Sequence, residues 1–453
     1  MRIFFAAYLR THFRALSPLA EWLRQRGHEV GFYFAARYHG CDQDAREALA
    51  AGHRVIRFDG SEDAAEMALW RGRNEPTAVP ARSFLRCLLK FAAVKRFYRA
   101  LFARLQPDIL VLPEENVGYL SHLLVRQAQA CGASVVVMPY TIDNPVEAAE
   151  TLLHKVACIV RGGLRNAFAR RNPGWVFEYK GVHLLRLPFP AAAAMQLMGE
   201  APARPWQNVC SFADVVAIEC EALRAQHAVA GTAEADLRIT GSCTLDGMAA
   251  VQREAMALRG SLLRELGLDP VKPVFLAAIP PDIFKSKQRK VEFTHHAEAV
   301  TFWIETLAAT GWNVIVNLHP HLKPESIDFG TWPNVKYCAR PTADVIPLCD
   351  VFVASISATI RWAIAAGKPV LNHDLYQYGY DDYRSAPGVV HVTTRDEFRR
   401  EVSRITTDAG YREEVRLAQA AVAADWGILD GGSGERLLAL FSELIISKQS
   451  SAT

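Results

Sequence analysis

The chain has 453 residues, of which half are hydrophobic and 22% are charged. This balance is typical of a folded protein and excludes a disordered chain, while the length predicts more than one hydrophobic core. The formal net charge of +3 is too small to indicate a nucleic-acid partner. The nine cysteines show neither CxxC pairs nor a regular framework, which indicates buried thiols in a reducing compartment.

The first residues predict a strand, a helix and a second strand. An apolar run follows Met1, a helix is expected over Pro18–Arg26, and Gly27 ends that helix before the second apolar run. We expect His12 in the loop after the first strand, where it has either a catalytic role or a solvated or capping role. The Gly-rich phosphate turn of dinucleotide-binding folds is missing here, which disfavours a dehydrogenase.

A basic amphipathic helix is expected over residues 82–104. The segment has seven Lys and Arg residues and no acidic residue, with apolar residues at helical intervals. Such a helix can lie on an anionic bilayer surface, or it can pack its apolar side into the core and leave its basic side in water. Because no run of 18 apolar residues and no signal-peptide pattern occurs, we expect a cytoplasmic protein, with peripheral contact at the inner membrane face left open.

Two adjacent carboxylates follow a buried apolar run. Glu114 and Glu115 come after the run that begins at Ile109, and a helix is expected over Gly118–Ala130. Neighbouring negative charges at the end of a parallel strand raise one pKa toward neutrality, as a general base requires. Both are therefore candidate bases, with capping of the next helix as the alternative. Asp143, after the following buried run, is a weaker candidate.

Residues 313–370 predict a βαβ unit of a second parallel sheet. One buried run ends at His319-Pro320 and another ends at a hydroxyl cluster. Ligands bind at the carboxyl ends of such strands, where an imidazole and hydroxyl groups beside a helix start can hold a phosphate. Hydroxyl groups there can also act as helix caps. The candidate donor-binding residues are His319, Pro320, Ser355, Ser357, Thr359 and Lys285.

Two loops of this half supply further candidates. Lys285 belongs to a basic loop, residues 285–290, that follows an expected strand over Val271–Ile279, and it either assists phosphate binding or is merely solvated. The Tyr- and Asp-rich residues 372–383 suit stacking on a sugar or base. Asp381 and Asp382 do not form a DxD motif after a strand, so no metal or other cofactor is expected.

These motifs resemble those of GT-B glycosyltransferases. The opening THFRALSPLAEWLRQRGHEV is similar to GT-B enzymes and sugar-nucleotide 2-epimerases, and the acidic loop at Glu114 resembles the catalytic motif of GT-B sialyltransferases. The His-Pro and hydroxyl motifs resemble those of transferases using CMP-activated sialic acid or 3-deoxy-manno-octulosonic acid, and those of CDP-glycerol glycerophosphotransferases. The resemblance implies that His319, Ser355 and Ser357 or Thr359 contact the nucleotide phosphate. The family's ribose-binding Glu is absent, so the donor base stays open.

The resemblance implies an α/β fold of the GT-B class. Two Rossmann-like parallel-sheet domains would face a central cleft, with a C-terminal helix crossing back to the first domain. We expect an acceptor-side domain at 1–247, a nucleotide-sugar-binding domain at 248–428, and a C-terminal helix and tail at 429–453.

The expected function is metal-independent transfer of a sugar from a nucleotide-sugar donor to a surface glycan or lipid-linked acceptor, as in capsule or polysaccharide synthesis. A sugar-nucleotide 2-epimerase or hydrolase is one alternative, because it shares the fold and the phosphate site. A non-catalytic protein of glycan assembly is the other. Nucleic acid is not an expected partner.

Overall fold

A computed structural model describes residues 1–62, 77–80, 83–209, 211–284, 291–320, 322–329 and 332–452. The chain divides into two compact units. The first unit comprises Met1–Ile218, Leu223–Thr240 and Gly434–Thr453. The second comprises Glu219–Ala222 and Gly241–Ser433. The expected boundary at residue 247 falls inside a helix of the second unit, Cys243–Arg253.

The first unit contains a seven-stranded parallel sheet of order β3-β2-β1-β4-β5-β8-β9. Its strands, with the separate antiparallel hairpin β6-β7, are β1 Arg2–Ala7, β2 Glu29–Phe34, β3 Arg54–Arg57, β4 Ile109–Leu112, β5 Ser134–Val137, β6 Val176–Tyr179, β7 Val182–Leu185, β8 Val215–Ile218 and β9 Leu237–Ile239. The helices before β9 are α1 Arg10–Gln25, α2 Cys41–Ala50, α3 Phe84–Leu105, α4 Ser121–Ala130, α5 Pro145–Leu152, α6 Gly163–Arg171, α7 Phe189–Leu197 and α8 Glu221–Val229. The central strands β4 and β5 are fully buried and, apart from Ser134, apolar, as is typical of a parallel sheet covered on both faces.

The second unit contains a six-stranded parallel sheet of order β12-β11-β10-β13-β14-β15. Its strands are β10 Val274–Ile279, β11 Asn313–Leu318, β12 Val335–Tyr337, β13 Val351–Ala354, β14 Val370–His373 and β15 Val389–Val392. The remaining helices are α9 Cys243–Arg253, α10 Ala255–Glu265, α11 His296–Ala308, α12 Thr342–Val345, α13 Ile360–Ala365, α14 Arg395–Thr407, α15 Ala409–Trp426 and α16 Ser433–Ala452. Trp303 and Phe398 stack at the centre of this unit's core. The prediction of two parallel-sheet α/β domains is confirmed.

The start of α1 differs from the prediction. The helix begins at Arg10 and contains Pro18 in its interior. Proline has no N–H to donate to the carbonyl of Arg14, and the hydroxyl of Ser17 donates to that carbonyl at 3.5 Å instead. His12 therefore lies in the first helical turn and is fully buried. The expected loop position, and with it the solvated alternative, is wrong.

The segment after β4 is also more broken than predicted. The residues Val117–Tyr119 form a single 3-10 turn, and Leu120 has a left-handed backbone with φ of 56° before α4 begins. The hydroxyl of Ser121 accepts from the backbone N–H of Asn116 at 2.6 Å and donates to its carbonyl at 3.0 Å. These two bonds close the loop, so the helix expected over Gly118–Ala130 starts later.

The helix α16 packs with the first unit, to which Gly434–Thr453 belong. The guanidinium of Arg436 donates to the carbonyl of Thr240 at 2.8 Å. A side chain at Gly434 would place its Cβ 2.5 Å from the ring of Trp22, so only glycine allows this approach. Among the described residues, no helix is long and apolar enough to cross a membrane.

Candidate functional site

In the first unit, candidate catalytic side chains lie at the carboxyl ends of the central strands. Strand β1 pairs in parallel with β4, so the residues that follow the two strands are neighbours. His12 lies shortly after β1, and Glu114 lies shortly after β4. Both side chains are buried, with 0% and 5% of their residue surface exposed.

The imidazole of His12 faces the carboxylate of Glu114. Its Nδ1 accepts from the backbone N–H of Tyr8 at 3.3 Å, so the proton of a neutral ring lies on Nε2. Nε2 lies 3.3 Å from Glu114 Oε1. The pair lacks hydrogen-bond alignment, and neither atom has a hydrogen-bond partner among the described residues. Two buried polar atoms of opposite character thus face each other without a hydrogen bond.

The side chain of Asn116 orients Glu114. Its Nδ2 donates to Glu114 Oε2 at 3.2 Å and to Asn208 Oδ1 at 3.0 Å. Its Oδ1 accepts from the backbone N–H of Gly118 at 2.8 Å and from Arg186 at 3.0 Å. Asn116 thereby caps the 3-10 turn Val117–Tyr119. The helix α4 has no side-chain cap, so the alternative that an acid caps it is wrong.

A second carboxyl group belongs to the same network. Asp143 accepts from the backbone N–H of Asn208 at 2.8 Å. Burial, followed by the negative charge of Glu114, raises the pKa of Asp143 to about 7. A carboxyl group with such a pKa can take up or release a proton near neutrality, which is the property required of an acid or base.

Aromatic rings surround His12. Tyr140 meets the imidazole edge-on with ring centroids 4.7 Å apart, and Tyr119 stacks on Tyr8 at 5.4 Å. Burial raises the pKa of all three phenols, that of Tyr119 to about 12, so they are neutral at physiological pH. Tyr119, Tyr140, Asp143 and Arg186 are partly exposed and form the accessible border of this site, which we call the acid site.

Glu115, the second predicted base, has a different environment. Its carboxylate is fully buried and accepts from the backbone N–H groups of Ser211, Phe212 and Ala213 at 2.9 to 3.3 Å. Ser211 has φ of 107°, a conformation that non-glycine residues rarely adopt. The carboxylate holds this loop in place, which favours a structural role for Glu115 and leaves Glu114 as the better candidate base.

In the second unit, His319 directly follows β11 and Ser355 directly follows β13. Strand β10 lies between these two strands, and its register with both places the two residues at nearly the same height on the carboxyl edge. Two strand spacings separate them, about 10 Å. His319 is partly exposed and Pro320 is exposed. A phosphate-bearing ligand that lies along this edge of the sheet can contact both His319 and Ser355.

The hydroxyl cluster forms a compact loop after β13. The hydroxyls of Ser357 and Thr359 are 2.8 Å apart and hydrogen-bonded. Ser357 Oγ also accepts from the backbone N–H of Thr359 at 3.3 Å, whereas Thr359, the N-cap residue of α13, makes no side-chain cap bond. Ile356 has a left-handed backbone with φ of 43°, and its N–H donates to Asn372 at 2.9 Å. The phenol of Tyr383 donates to the carbonyl of Ser357 at 2.8 Å. We call His319 and this loop the phosphate edge.

A buried ion pair stabilises the hydroxyl loop of the phosphate edge. Arg361 donates to Glu219 at 2.7 Å and to the carbonyl of Ala358 at 2.9 Å. Arg361 is 1% exposed and Glu219 is 7% exposed. The guanidinium is thus fully engaged in holding the loop and is not offered to a ligand.

The loop after β14 is organised by Asp374. Its carboxylate accepts from the backbone N–H groups of Tyr378 and Gly379 at 3.0 and 2.7 Å. Tyr378 and Tyr380 stack at 4.9 Å, and a phenol nearby, Tyr376, donates to the carbonyl of Pro281 at 2.6 Å. The aromatic side chains predicted to stack on a ligand are therefore packed on one another and on the loop after β10.

Some predicted features cannot be placed. Lys285 and the rest of the basic loop, residues 285–290, lie outside the described residues. Among the residues that are described, no three His, Cys, Asp or Glu side chains form a group able to hold a metal ion. Sequence reasoning missed Arg186 and Asn208, which reach the acid site from a segment without a motif, and no local signal identifies them.

No family model matches the chain, and no curated protein matches it. Solved structures do match it over nearly its whole length. The calicheamicin glycosyltransferase CalG4 is 16% identical, with 98% of each chain covered and a TM-score of 0.54. A variant of the wall teichoic acid polymerase TagF is 9% identical, with 99% of this chain and 90% of that chain covered and a TM-score of 0.55.

The epimerase class appears in the same comparison. The UDP-GlcNAc 2-epimerase from Neisseria meningitidis, in complex with UDP-GlcNAc, is 10% identical, with 98% of this chain and 100% of that chain covered and a TM-score of 0.52. Identities this low establish the fold alone. The protein has the GT-B fold, as the sequence predicted, and its structural neighbours are GT-B glycosyltransferases and UDP-GlcNAc 2-epimerases.

Proposed function

We propose that the protein transfers a sugar from a nucleotide-activated donor to an acceptor hydroxyl. The fold is that of enzymes with nucleotide-sugar substrates, and each unit offers one of the two chemical roles that transfer requires. The first has an acid–imidazole pair suited to activating an acceptor. The second has a histidine and hydroxyl groups suited to a phosphate.

The pair of Glu114 and His12 carries the proposal. Glu114 Oε1 and His12 Nε2 are 3.3 Å apart, and neither has a hydrogen-bond partner in the described part of the chain. An acceptor hydroxyl can donate to the carboxylate oxygen and accept from the ring N–H, so both atoms become satisfied. Because buried polar atoms without partners cost about 1–3 kcal/mol each, this arrangement favours binding of a hydroxyl.

In the proposed reaction Glu114 takes the proton of the acceptor hydroxyl. The acceptor oxygen then forms a bond to the anomeric carbon, and the bond from that carbon to the donor phosphate breaks. The electron pair of the broken bond leaves with the nucleotide. General-base assistance of this kind contributes about 10²–10⁴ in rate. Asn116 keeps the carboxylate aimed at the acceptor through its bond to Oε2.

The phosphate edge is proposed to hold the leaving nucleotide. His319 can donate to a phosphate oxygen and, when protonated, offset its charge. The hydroxyls of Ser357 and Thr359 can exchange their mutual bond for bonds to the phosphate. No metal ion is required by this scheme. Arg361 is engaged with Glu219 and gives no information on the base, so CMP-, CDP-, UDP- and GDP-linked sugars are all candidate donors.

A 2-epimerase is the second candidate, and Asp143 is the observation that favours it. Epimerisation requires removal and return of a proton at one carbon, and a carboxyl group whose pKa is about 7 beside Glu114 provides two acid–base groups. Incubation of a sugar nucleotide without acceptor distinguishes the two functions. An epimerase changes the sugar under these conditions, whereas a transferase leaves it intact apart from slow hydrolysis.

The test has two steps. CMP-, CDP-, UDP- and GDP-sugars are first screened by thermal shift, and those that stabilise the protein are then assayed for turnover with glycan and lipid-linked acceptors. Glu114→Gln and His12→Gln are expected to lower kcat at least about 100-fold without loss of folding. Glu178→Gln, an exposed change of the same chemistry in the first unit, is the matched control. Turnover unaffected by both variants, or stabilisation by no sugar nucleotide, would contradict the proposal. Stabilisation without any turnover would indicate a non-catalytic binding protein.

A further inference from the structure

The outer face of α3 is apolar at its beginning. The helix buries one stripe in the first unit's core, including Phe91, Tyr98 and Phe102. Its opposite side leaves Leu85 and Leu89 63% exposed each. These two residues are four apart and therefore share a face. Packing in the core explains the buried side of α3. It does not explain why Leu85 and Leu89 are apolar.

Basic residues accompany the exposed leucines. Arg86, Arg96 and Arg99 are exposed and make no ion pair within the described part of the chain. The two other cations whose partners are known are held by the fold, because Lys95 binds Glu200 and Arg104 binds Glu62. Free positive charge thus lies on the same outward side as the apolar patch.

The helix α6 repeats this combination. No residue of α6 is buried, and its Leu164 is 79% exposed, while Val156 in the preceding loop is 72% exposed. The segment 154–177 contains five Lys and Arg residues and no acidic residue. Arg170 and Arg171 are exposed and, within the described residues, make no ion pair. A surface helix without one buried residue is stabilised poorly by its own fold.

The two helices lie on one side of the first unit, joined by α7. Phe168 of α6 meets Phe189, the first residue of α7, edge-on with ring centroids 5.6 Å apart. The helix α7 in turn packs along α3. Glu200, just after α7, binds Lys95 at the middle of α3, whereas Arg186, just before α7, donates to Asn116 beyond the carboxyl end of β4. The end of α3 lies at the opposite edge, because the carbonyl of Leu105 accepts from Arg2 at the start of β1. Phe189 therefore lies toward the apolar beginning of α3.

We infer that the outer faces of α3 and α6 form a surface that docks on an anionic lipid bilayer. Interleaved leucines and arginines, without carboxylates, are what an interfacial helix requires, since the apolar side chains enter the headgroup region and the cations meet lipid phosphates. A nucleic acid or other soluble polyanion would use the arginines but gain nothing from Leu85, Leu89 and Leu164. Exposed leucines therefore favour the bilayer.

The experiment is co-sedimentation of the full chain with vesicles of phosphatidylcholine alone and with phosphatidylglycerol added. Binding is expected only to the anionic vesicles and is expected to weaken as salt rises. The double variant Arg170→Glu/Arg171→Glu removes two cations, each worth about fivefold in partitioning, so binding should fall by about 30-fold or more. The double variant Leu85→Ser/Leu89→Ser should lower binding by about tenfold or more.

Matched controls come from the second unit. Arg399→Glu/Arg400→Glu makes the same charge change at two exposed positions of α14, and Leu417→Ser makes the same apolar change on α15. Neither control should change vesicle binding. The inference would be overturned by equal binding to neutral and anionic vesicles, or by an equal loss of binding in the control variants. It would also be overturned if the protein bound heparin as well as it binds vesicles and the leucine variant did not weaken heparin binding. Circular dichroism and the melting temperature establish that every variant is folded.

Discussion

Glu114 and Glu115 are adjacent in sequence, and the structure predicts that the same substitution has opposite consequences at the two positions. Glu115→Gln should destabilise the first unit, whereas Glu114→Gln should leave stability nearly unchanged. The reason is that Glu115 accepts from three backbone N–H groups of residues 211–213. One oxygen of Glu114, by contrast, accepts no hydrogen bond from any residue that the structure describes.

The magnitude follows from the contacts. Hydrogen bonds to a charged group contribute about 1.5–3 kcal/mol each. A glutamine at position 115 keeps one acceptor oxygen, loses the charge, and turns an NH2 donor toward a backbone donor. We therefore expect a loss of about 3 kcal/mol. Ser211, whose φ of 107° is held by this carboxylate, should lose its conformation first.

Native-state hydrogen exchange measures this loss locally. The amides of Phe212 and Ala213, which donate to the carboxylate of Glu115, should exchange about 150-fold faster in Glu115→Gln, because every 1.4 kcal/mol corresponds to a factor of ten. In Glu114→Gln their exchange should be unchanged. Unaltered protection in Glu115→Gln would refute the reasoning. Loss of turnover in that variant at full stability would instead make Glu115 the base.

Four further predictions concern other groups. Glu219→Ala should destabilise the second unit by about 3–5 kcal/mol in urea unfolding, because it leaves the buried guanidinium of Arg361 without a charge partner. Asp143→Asn should remove a pH dependence of the free energy of unfolding. Because the pKa of Asp143 is raised to about 7 in the folded protein, its contribution to this free energy is fully present below about pH 4 and is lost as the pH rises through about 7. His319→Gln should raise the KM for the donor about tenfold or more, with a smaller change in kcat, in steady-state kinetics. Turnover should persist in EDTA, as measured after dialysis.

Each of these predictions has a distinct contrary result. For the ion pair, the control is Glu219→Leu combined with Arg361→Met, which should recover much of the stability, and a double variant as unstable as the single one would contradict the account. An unchanged pH profile in Asp143→Asn would show that another group titrates. A pure kcat effect in His319→Gln would exclude a donor-binding role. Turnover abolished by EDTA and restored by a divalent cation would overturn metal independence.

The fold could be predicted from the sequence because parallel strands are marked by local composition. The run at Ile109–Leu112 and the run at Val351–Ala354 are short, apolar and ended by polar residues, and both are fully buried strands. The order of strands then brings the polar residues to one edge in each unit. For this reason Glu114, His319 and Ser355 could be identified as candidates without a structure.

Distant contacts could not be predicted in the same way. Arg361 and Glu219 are 142 positions apart, and the sequence around Glu219 has no feature that points to a buried partner. Asn208 meets Asn116 across 92 positions. The start of α1 at Arg10 could not be predicted either, because proline is favoured in the first turn of a helix and Pro18 therefore indicates a later start. In the structure Pro18 lies inside α1, where the hydroxyl of Ser17 donates to the carbonyl that proline leaves without a donor.

The return of α16 to the first unit has a consequence for biosynthesis. Residues 1–240 leave the ribosome first, yet Trp22 and the carbonyl of Thr240 lack their contacts with Gly434 and Arg436 until those two residues have been translated. The second unit, from Gly241 to Ser433, is nearly continuous and can collapse while this gap persists. The first unit, which contains the acid site, therefore completes its folding only after α16 has been translated. A nascent chain stalled within the second unit should expose the surface that α16 later covers and bind chaperones there.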